Sequence, residues 1–145
     1  MIIYTSCFGG YDNLYPSADI RYDEVYNPYS GSSGHLSDRL KAKMYKILNP
    51  DCLDLWIDAN IEISYRDDFE KEFKGDFCVF KHPFNKSVGE ELILCYKIGY
   101  VNNHEFDKIK DLYHSAGLNV DTTPVYAGEV IYRTRKAEEL NRHWW

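Results

Sequence analysis

The residues best suited to chemistry stand where apolar runs stop. In Trp56-Ile57-Asp58-Ala59-Asn60 an apolar run ends at a carboxylate, and an amide follows two residues later. Alternate side chains of an extended chain share a side, so Asp58 and Asn60 would project together. Carboxylate and amide oxygens suit a hard divalent cation, Mn²⁺ or Mg²⁺, bridged to phosphate. The same residues would equally form an Asx turn at a strand end.

Three further groups carry chemistry. Gly9-Gly10-Tyr11-Asp12 brings two small residues, which let backbone N–H groups approach a ligand, beside a ring that could stack on a base. A plain turn would need the same glycines. His82-Pro83 is followed by Glu90-Glu91 at a helix start: the imidazole could ligate a metal or shuttle a proton, and either carboxylate could hold a sugar hydroxyl or act as a base. Acidic residues also favour helix N-termini because of the dipole. Arg39, Lys43 and Lys46 fall on one helical flank roughly 60° wide, where they could reach an anionic ligand or simply face solvent.

The elements that must position these groups are legible in the pattern. Ile2–Cys7 and Ile20–Tyr26 read as strands, the first delivering the Gly-Gly loop, and residues 27–34 as a loop. Leu36, Leu40, Met44, Ile47 and Leu48 recur at helical spacing, with Ser37 as N-cap and Asn49-Pro50 as the stop. Leu53–Asp58 is a strand carrying Asp58 at its end, and Ile61-Glu62-Ile63 resumes an alternating pattern. A strand over Asp76–Phe80, a helix on Leu92, Cys95, Tyr96 and Gly99, and a helix on Phe106, Ile109 and Tyr113 closed by Gly117 come next. Glu129–Arg133 is a late strand, and Lys136–Trp145 a terminal helix. Strands alternating with helices predict one α/β domain over residues 1–145, Rossmann-like, with a central, mainly parallel sheet flanked by helices. Cys7, Trp56, Ile57 and Phe80 should be buried, and the strand-end loops should share one edge, where ligands of open α/β sheets bind.

Composition narrows the function classes. With 145 residues, 44% of them hydrophobic, the chain can bury a core without staples. A net charge of −6 disfavours a broad nucleic-acid-binding face, so an anionic ligand needs a local basic cluster. Cys7, Cys52, Cys78 and Cys95 are widely spaced, which fits reduced thiols in an apolar setting rather than zinc ligands, a disulfide framework or a nucleophile. Met1-Ile-Ile-Tyr begins a strand pattern directly, and no apolar stretch approaches about 18 residues. Neither signal peptide nor membrane span is expected, and a cytoplasmic location follows. No signature of an oligomeric state is visible.

In order along the chain, Tyr4-Thr5-Ser6-Cys7-Phe8-Gly9-Gly10-Tyr11-Asp12, Tyr45-Lys46-Ile47-Leu48, Trp56-Ile57-Asp58-Ala59-Asn60-Ile61, Lys81-His82-Pro83 and Val130-Ile131-Tyr132-Arg133 resemble one family. It is the glycosyltransferase-like family of plant turgor-regulation and mucilage-related proteins, with bacterial and viral relatives. Trp144-Trp145 resembles its closing motif. The resemblance implies a GT-A type fold that holds a nucleoside diphosphate sugar, often through a divalent metal at an Asp-bearing strand end, and passes the sugar to an acceptor the sequence does not specify. It implies Asp58 and Asn60 at the metal and Gly9, Gly10, Tyr11 and Asp12 against the nucleotide. Arg39, Lys43 and Lys46 would lie near the diphosphate, and His82, Glu90 and Glu91 on the sugar or acceptor side. Tyr126, Glu129 and Arg133 of the late strand join the substrate-binding set. Relatives usually carry Glu directly after the Tyr of that strand; here Ala127-Gly128 intervenes before Glu129, so the carboxylate is displaced. The alternative to transfer is a non-catalytic protein that binds a nucleotide or nucleotide sugar as a sensor or sequestering agent.

Overall fold

A computed structural model of the chain describes residues 1–10, 12–13, 15–28, 37–49, 51 and 53–137. Tyr11, Leu36, Cys52, Trp144 and Trp145 lie outside the described residues, as does most of the expected terminal helix. The elements run β1 (Ile3–Ser6), β2 (Ile20–Tyr22), α1 (Asp38–Leu48), β3 (Leu55–Ile57), α2 (Arg66–Glu70), β4 (Phe77–Lys81), α3 (Val88–Lys97), α4 (Asn103–Ser115) and β5 (Tyr126–Arg133), followed by a 3₁₀ turn at Arg135–Ala137. The fold is mixed α/β around an open five-stranded sheet of order β2-β1-β3-β5-β4.

The sheet is less parallel than the element order implies. β1 pairs in parallel with both β2 and β3, but β5 runs antiparallel to β3. Around the β4–β5 pair, Thr134 N–H donates to the Asp76 carbonyl and His82 N–H to that of Val125, so these strands are antiparallel too. Alternating strands and helices predict parallel pairing only where each helix crosses between neighbours in one sheet. Here α3 and α4 follow one another between β4 and β5, and the chain returns in the opposite direction.

Contacts gather the chain into two compact units, Met1–Val79 with Gly128–Trp145 and Phe80–Ala127. In the first unit, period-2 alternation sorts the side chains onto two cores. Tyr4, Trp56 and Ile131 stand opposite one another across β1, β3 and β5 and pack with Ala42, Met44 and Tyr45 of α1. Ile3, Leu55 and Ile57 point to the other face, where Ile61, Ile63, Phe69, Phe73, Val130 and Tyr132 cover them. The alternating Ile61-Glu62-Ile63 forms no strand; its apolar residues serve this second core from a loop. The helix α2 was not anticipated, because five residues are too few to display a helical period, although Phe69 meets Phe73 edge-on at 5.2 Å.

Local chemistry fixes the ends of α1. Ser37 caps its start by accepting from Leu40 N–H, as expected, a device worth about 1 kcal/mol. Asn49 stops it in the left-handed region, φ 40°, and its amide exchanges hydrogen bonds with both backbone groups of Leu53, leading the chain toward β3. β2 stops at Tyr22, short of the expected Tyr26, because the Asp23 carboxylate accepts from Val25 and Tyr26 N–H and turns the chain. Phe8, Tyr45, Tyr22 and Tyr26 form a continuous ring stack, with successive centroids 5.5, 4.6 and 5.2 Å apart.

Trp56 and Ile57 are buried as expected, whereas Cys7 is half-buried and Phe80 is 42% exposed. An apolar run at a sheet margin satisfies strand periodicity without a partner layer on both faces. In the second unit Ser87 caps α3, a reciprocal Asn102–Glu105 box starts α4, and Tyr96 meets Phe106 edge-on between the two helices. Gly117, at φ 73°, lets the chain leave α4 by a left-handed turn. Among the described residues, no helix is long and apolar enough to cross a membrane.

Candidate functional site

The parallel β1–β3 pair sends both strand-end loops off the same edge of the sheet, and Tyr15 N–H donates to the Ala59 carbonyl between them, 2.9 Å. Asp58 follows Trp56 by two residues and therefore faces the α1 side of the sheet. There its Oδ1 accepts from the Trp56 indole Nε1–H, 2.9 Å, and from the Lys46 ammonium, 3.4 Å. Its backbone N–H is held by the Glu129 carbonyl, 2.8 Å. The carboxylate is thus fixed from β3, β5 and α1 at once.

Lys46 is the unusual member. It belongs to the last turn of α1, its side chain is only 12% exposed, and its Nζ lies 5.8 Å from the centre of a Trp56 ring. Burial pulls its pKa below the ordinary lysine value and Lys43 pulls the same way, while Asp58 and Glu129 favour the charged form. A Cβ built on Gly128 would stand 3.2 Å from Nζ, tight enough to require the ammonium to move. The glycine that displaces Glu129 from Tyr126 thereby gives Lys46 its room.

The basic stripe divides. Lys46 turns toward Asp58, while Arg39 and Lys43 are exposed. Lys41 sits on another flank, paired to Asp38 at 3.2 Å.

The Gly9-Gly10 loop has both residues at positive φ, 60° and 62°. A Cβ on Gly9 would fall 2.0 Å from Asp38 Oδ2, so the helix start approaches the loop closely. The Gly9 N–H already donates to Glu24 Oε1, 2.6 Å. Two carboxylates therefore border the loop expected to face a nucleotide. Asp12 accepts from Asn13 N–H through its side chain and from the Cys7 thiol through its carbonyl.

Asn60 is exposed and lies in a turn closed by Ile61 N–H to the Asp58 carbonyl, 3.0 Å. The extended spacing that predicted Asp58 and Asn60 side by side ends at Asp58. Among the described residues, no group of three or more His, Cys, Asp or Glu side chains is arranged to hold a metal ion. One carboxylate whose Oδ1 already accepts from an indole and an ammonium is a poor fit to a resident divalent cation.

Arg133, 2% exposed, is turned into the core. Its guanidinium donates to the Lys46 carbonyl at 2.5 Å, to that of Ile47 and to the Tyr4 hydroxyl, serving the carbonyl end of α1 that helical geometry leaves open. Burial lowers its pKa, with Tyr4 acting in the opposite direction.

The second unit holds the other sequence candidates. His82 Nδ1 accepts from Phe84 and Asn85 N–H, which leaves the proton of the neutral ring on Nε2, 3.5 Å from Glu91 Oε2. The same Glu91 accepts from the Asn85 amide and, through Oε1, from the Cys95 thiol. Glu90 accepts from Lys86 N–H, 2.6 Å, at the start of α3. Tyr126 is 51% exposed.

No family model, curated protein or solved structure matches this chain. Sequence reasoning missed Trp56 as the partner of Asp58, although an indole two residues before a carboxylate in a strand is a readable signal. It also missed Gly128, whose role depends on a side chain from another element.

Proposed function

We propose that the chain binds a nucleoside diphosphate sugar at the Asp58 edge of the sheet and transfers the sugar to an acceptor, as a GT-A type glycosyltransferase acting in the cytoplasm. The observation that carries this reading is the Lys46–Asp58–Trp56 arrangement, a partly desolvated cation held at the carboxyl end of β3, whose neighbour β1 runs parallel to it. Ligands of open α/β sheets bind at such edges. A departing nucleoside diphosphate gains negative charge as the glycosidic bond breaks, and a preorganised ammonium stabilises it without reorganisation at that moment. Asp58 would orient that ammonium and accept from a ribose hydroxyl. Lys43 and Arg39 would offset charge at the rim, and Glu129 would contact the donor sugar or acceptor.

A non-catalytic nucleotide-sugar binder is favoured by one specific observation: Glu90 and His82 are already engaged with backbone N–H groups. Those are the groups the resemblance assigns to the sugar or acceptor side. A thermal-shift screen of nucleoside diphosphate sugars, followed by assay of nucleoside diphosphate release, tests both readings. A transferase releases product slowly to water, a binder raises the melting temperature without turnover, and no shift with any donor contradicts both. A ligand at 100 times its dissociation constant adds about 2.7 kcal/mol, so binding is readily seen.

A further inference from the structure

The geometry points to Lys46 as a built-in replacement for the divalent cation, making this site one that binds a diphosphate without metal. The inference rests on the diphosphate reading above and deepens it. A metal in such a site would bridge a strand-end carboxylate to phosphate oxygens. Here the place next to the carboxylate is taken by an ammonium, with Lys46 Nζ 3.4 Å from Asp58 Oδ1. A lysine ammonium has three donors, and one directed at Asp58 leaves others for phosphate oxygens.

The surroundings keep the ammonium where it is. Trp56 donates to the same Oδ1 from one side and lends a ring to the ammonium. Gly128 leaves the space Nζ occupies, and the backbone carbonyl of Lys46 is gripped by Arg133, which anchors the helix turn that carries the side chain. A dication in the same place would stand against a positive charge that cannot swing away into water without abandoning its burial. Asn60, the expected second ligand, is exposed in the turn beyond the extended segment.

The test uses Mn²⁺ alone and inorganic pyrophosphate as probes, on the full chain. Calorimetric titration of Mn²⁺ into the unmodified protein should show no binding tighter than about 1 mM. Pyrophosphate should raise the melting temperature equally in EDTA and in Mn²⁺, and Lys46→Met should weaken its binding by at least about tenfold in EDTA. Lys46→Arg, which keeps a cation, should restore part of that loss and guards against a folding defect in the methionine variant. Mn²⁺ binding by the unmodified protein that Asp58→Asn abolishes, or a pyrophosphate shift that appears only with Mn²⁺, would overturn the inference and leave the diphosphate reading intact. No pyrophosphate shift in either buffer would overturn both.

Discussion

The indole Nε1–H of Trp56 donates to the carboxylate of Asp58 across 2.9 Å, two residues further along the chain and just past the end of β3. The ring is 2% exposed and packs edge-on against Tyr4, with centroids 5.3 Å apart, so the donor is rigid and the carboxylate inherits that rigidity. Trp56→Phe keeps an aromatic ring but deletes the N–H. It should cost about 1.5–3 kcal/mol of stability, the worth of one hydrogen bond to a charged group, and weaken nucleotide-sugar binding several-fold. Lost stability with unchanged affinity would mean that the indole only packs.

The divided basic stripe gives a paired comparison. A lysine contacting phosphate in a partly desolvated cleft makes a charge-assisted bond of about 1.5–3 kcal/mol, whereas an exposed charge contributes under about 1 kcal/mol. Lys46→Ala should weaken nucleotide-sugar affinity at least tenfold with little loss of stability. Lys41→Ala, which removes the Asp38 pair and a ring contact with Phe8, should do neither. Equal, small effects in calorimetric titrations would move the phosphate site elsewhere.

Arg133 predicts a stability effect rather than an affinity effect. Arg133→Met fills similar space but leaves the Lys46 and Ile47 carbonyls and the Tyr4 hydroxyl without this donor. Each buried acceptor left without its donor costs about 1–3 kcal/mol, so urea unfolding should show a loss above about 2 kcal/mol. The exposed neighbour Arg135, changed to Met, should shift stability by under about 0.5 kcal/mol. A silent Arg133→Met would contradict the role of the guanidinium at the end of α1.

A pH dependence follows from Asp19. Arg66 grips its two oxygens at 2.7 and 2.6 Å, and Ile3 N–H adds a third bond at 2.9 Å. The Arg66 hydrogen bonds, aided by that N–H and opposed by burial, hold the Asp19 carboxyl below its ordinary 3.8. A carboxyl depressed in the folded state stabilises above its unfolded pKa, and that stabilisation is lost as pH falls through the folded value. Both side chains are more than one-third exposed, so screening keeps the effect modest. The melting temperature of the native protein should decline below about pH 4, and Asp19→Asn should flatten that decline while lowering the plateau. An identical acid limb in the variant would remove Asp19 as a cause.

Sequence periodicity located most of the frame of this site and little of its interior. Ser37, Asn49 and the strand ends expected at Cys7 and Asp58 are local signals, set by capping and pleat, and the structure ends those strands one residue earlier, at Ser6 and Ile57. The reversal of β5 against β3 was not, because strand direction depends on how the chain returns to the sheet. The partners of Lys46 come from β3 and β5, so a helical wheel placed it on a flank without distinguishing it from the exposed Lys43. Asn60 misled for a related reason: a period of two holds only while the chain is extended, and the turn begins at Asp58. Arg133 entered the substrate-binding set through the family resemblance of Val130-Ile131-Tyr132-Arg133, and its burial follows from the open carbonyls at the end of α1, which come from another element.

Calorimetric titration of nucleoside diphosphate sugars into the native protein and Asp58→Ala, in parallel, tests the central claim most directly. Asp58 is part-exposed and its loss leaves the cores untouched, but it deprives the Trp56 indole and the Lys46 ammonium of their acceptor, so the variant should unfold at a lower temperature and the titrations are run well below it. The predicted result is saturable binding of at least one donor by the native protein and a more than tenfold weaker affinity in the variant, about 1.4 kcal/mol. A variant that binds every nucleotide sugar as well as the native protein would contradict the assignment of this edge of the sheet as the donor site.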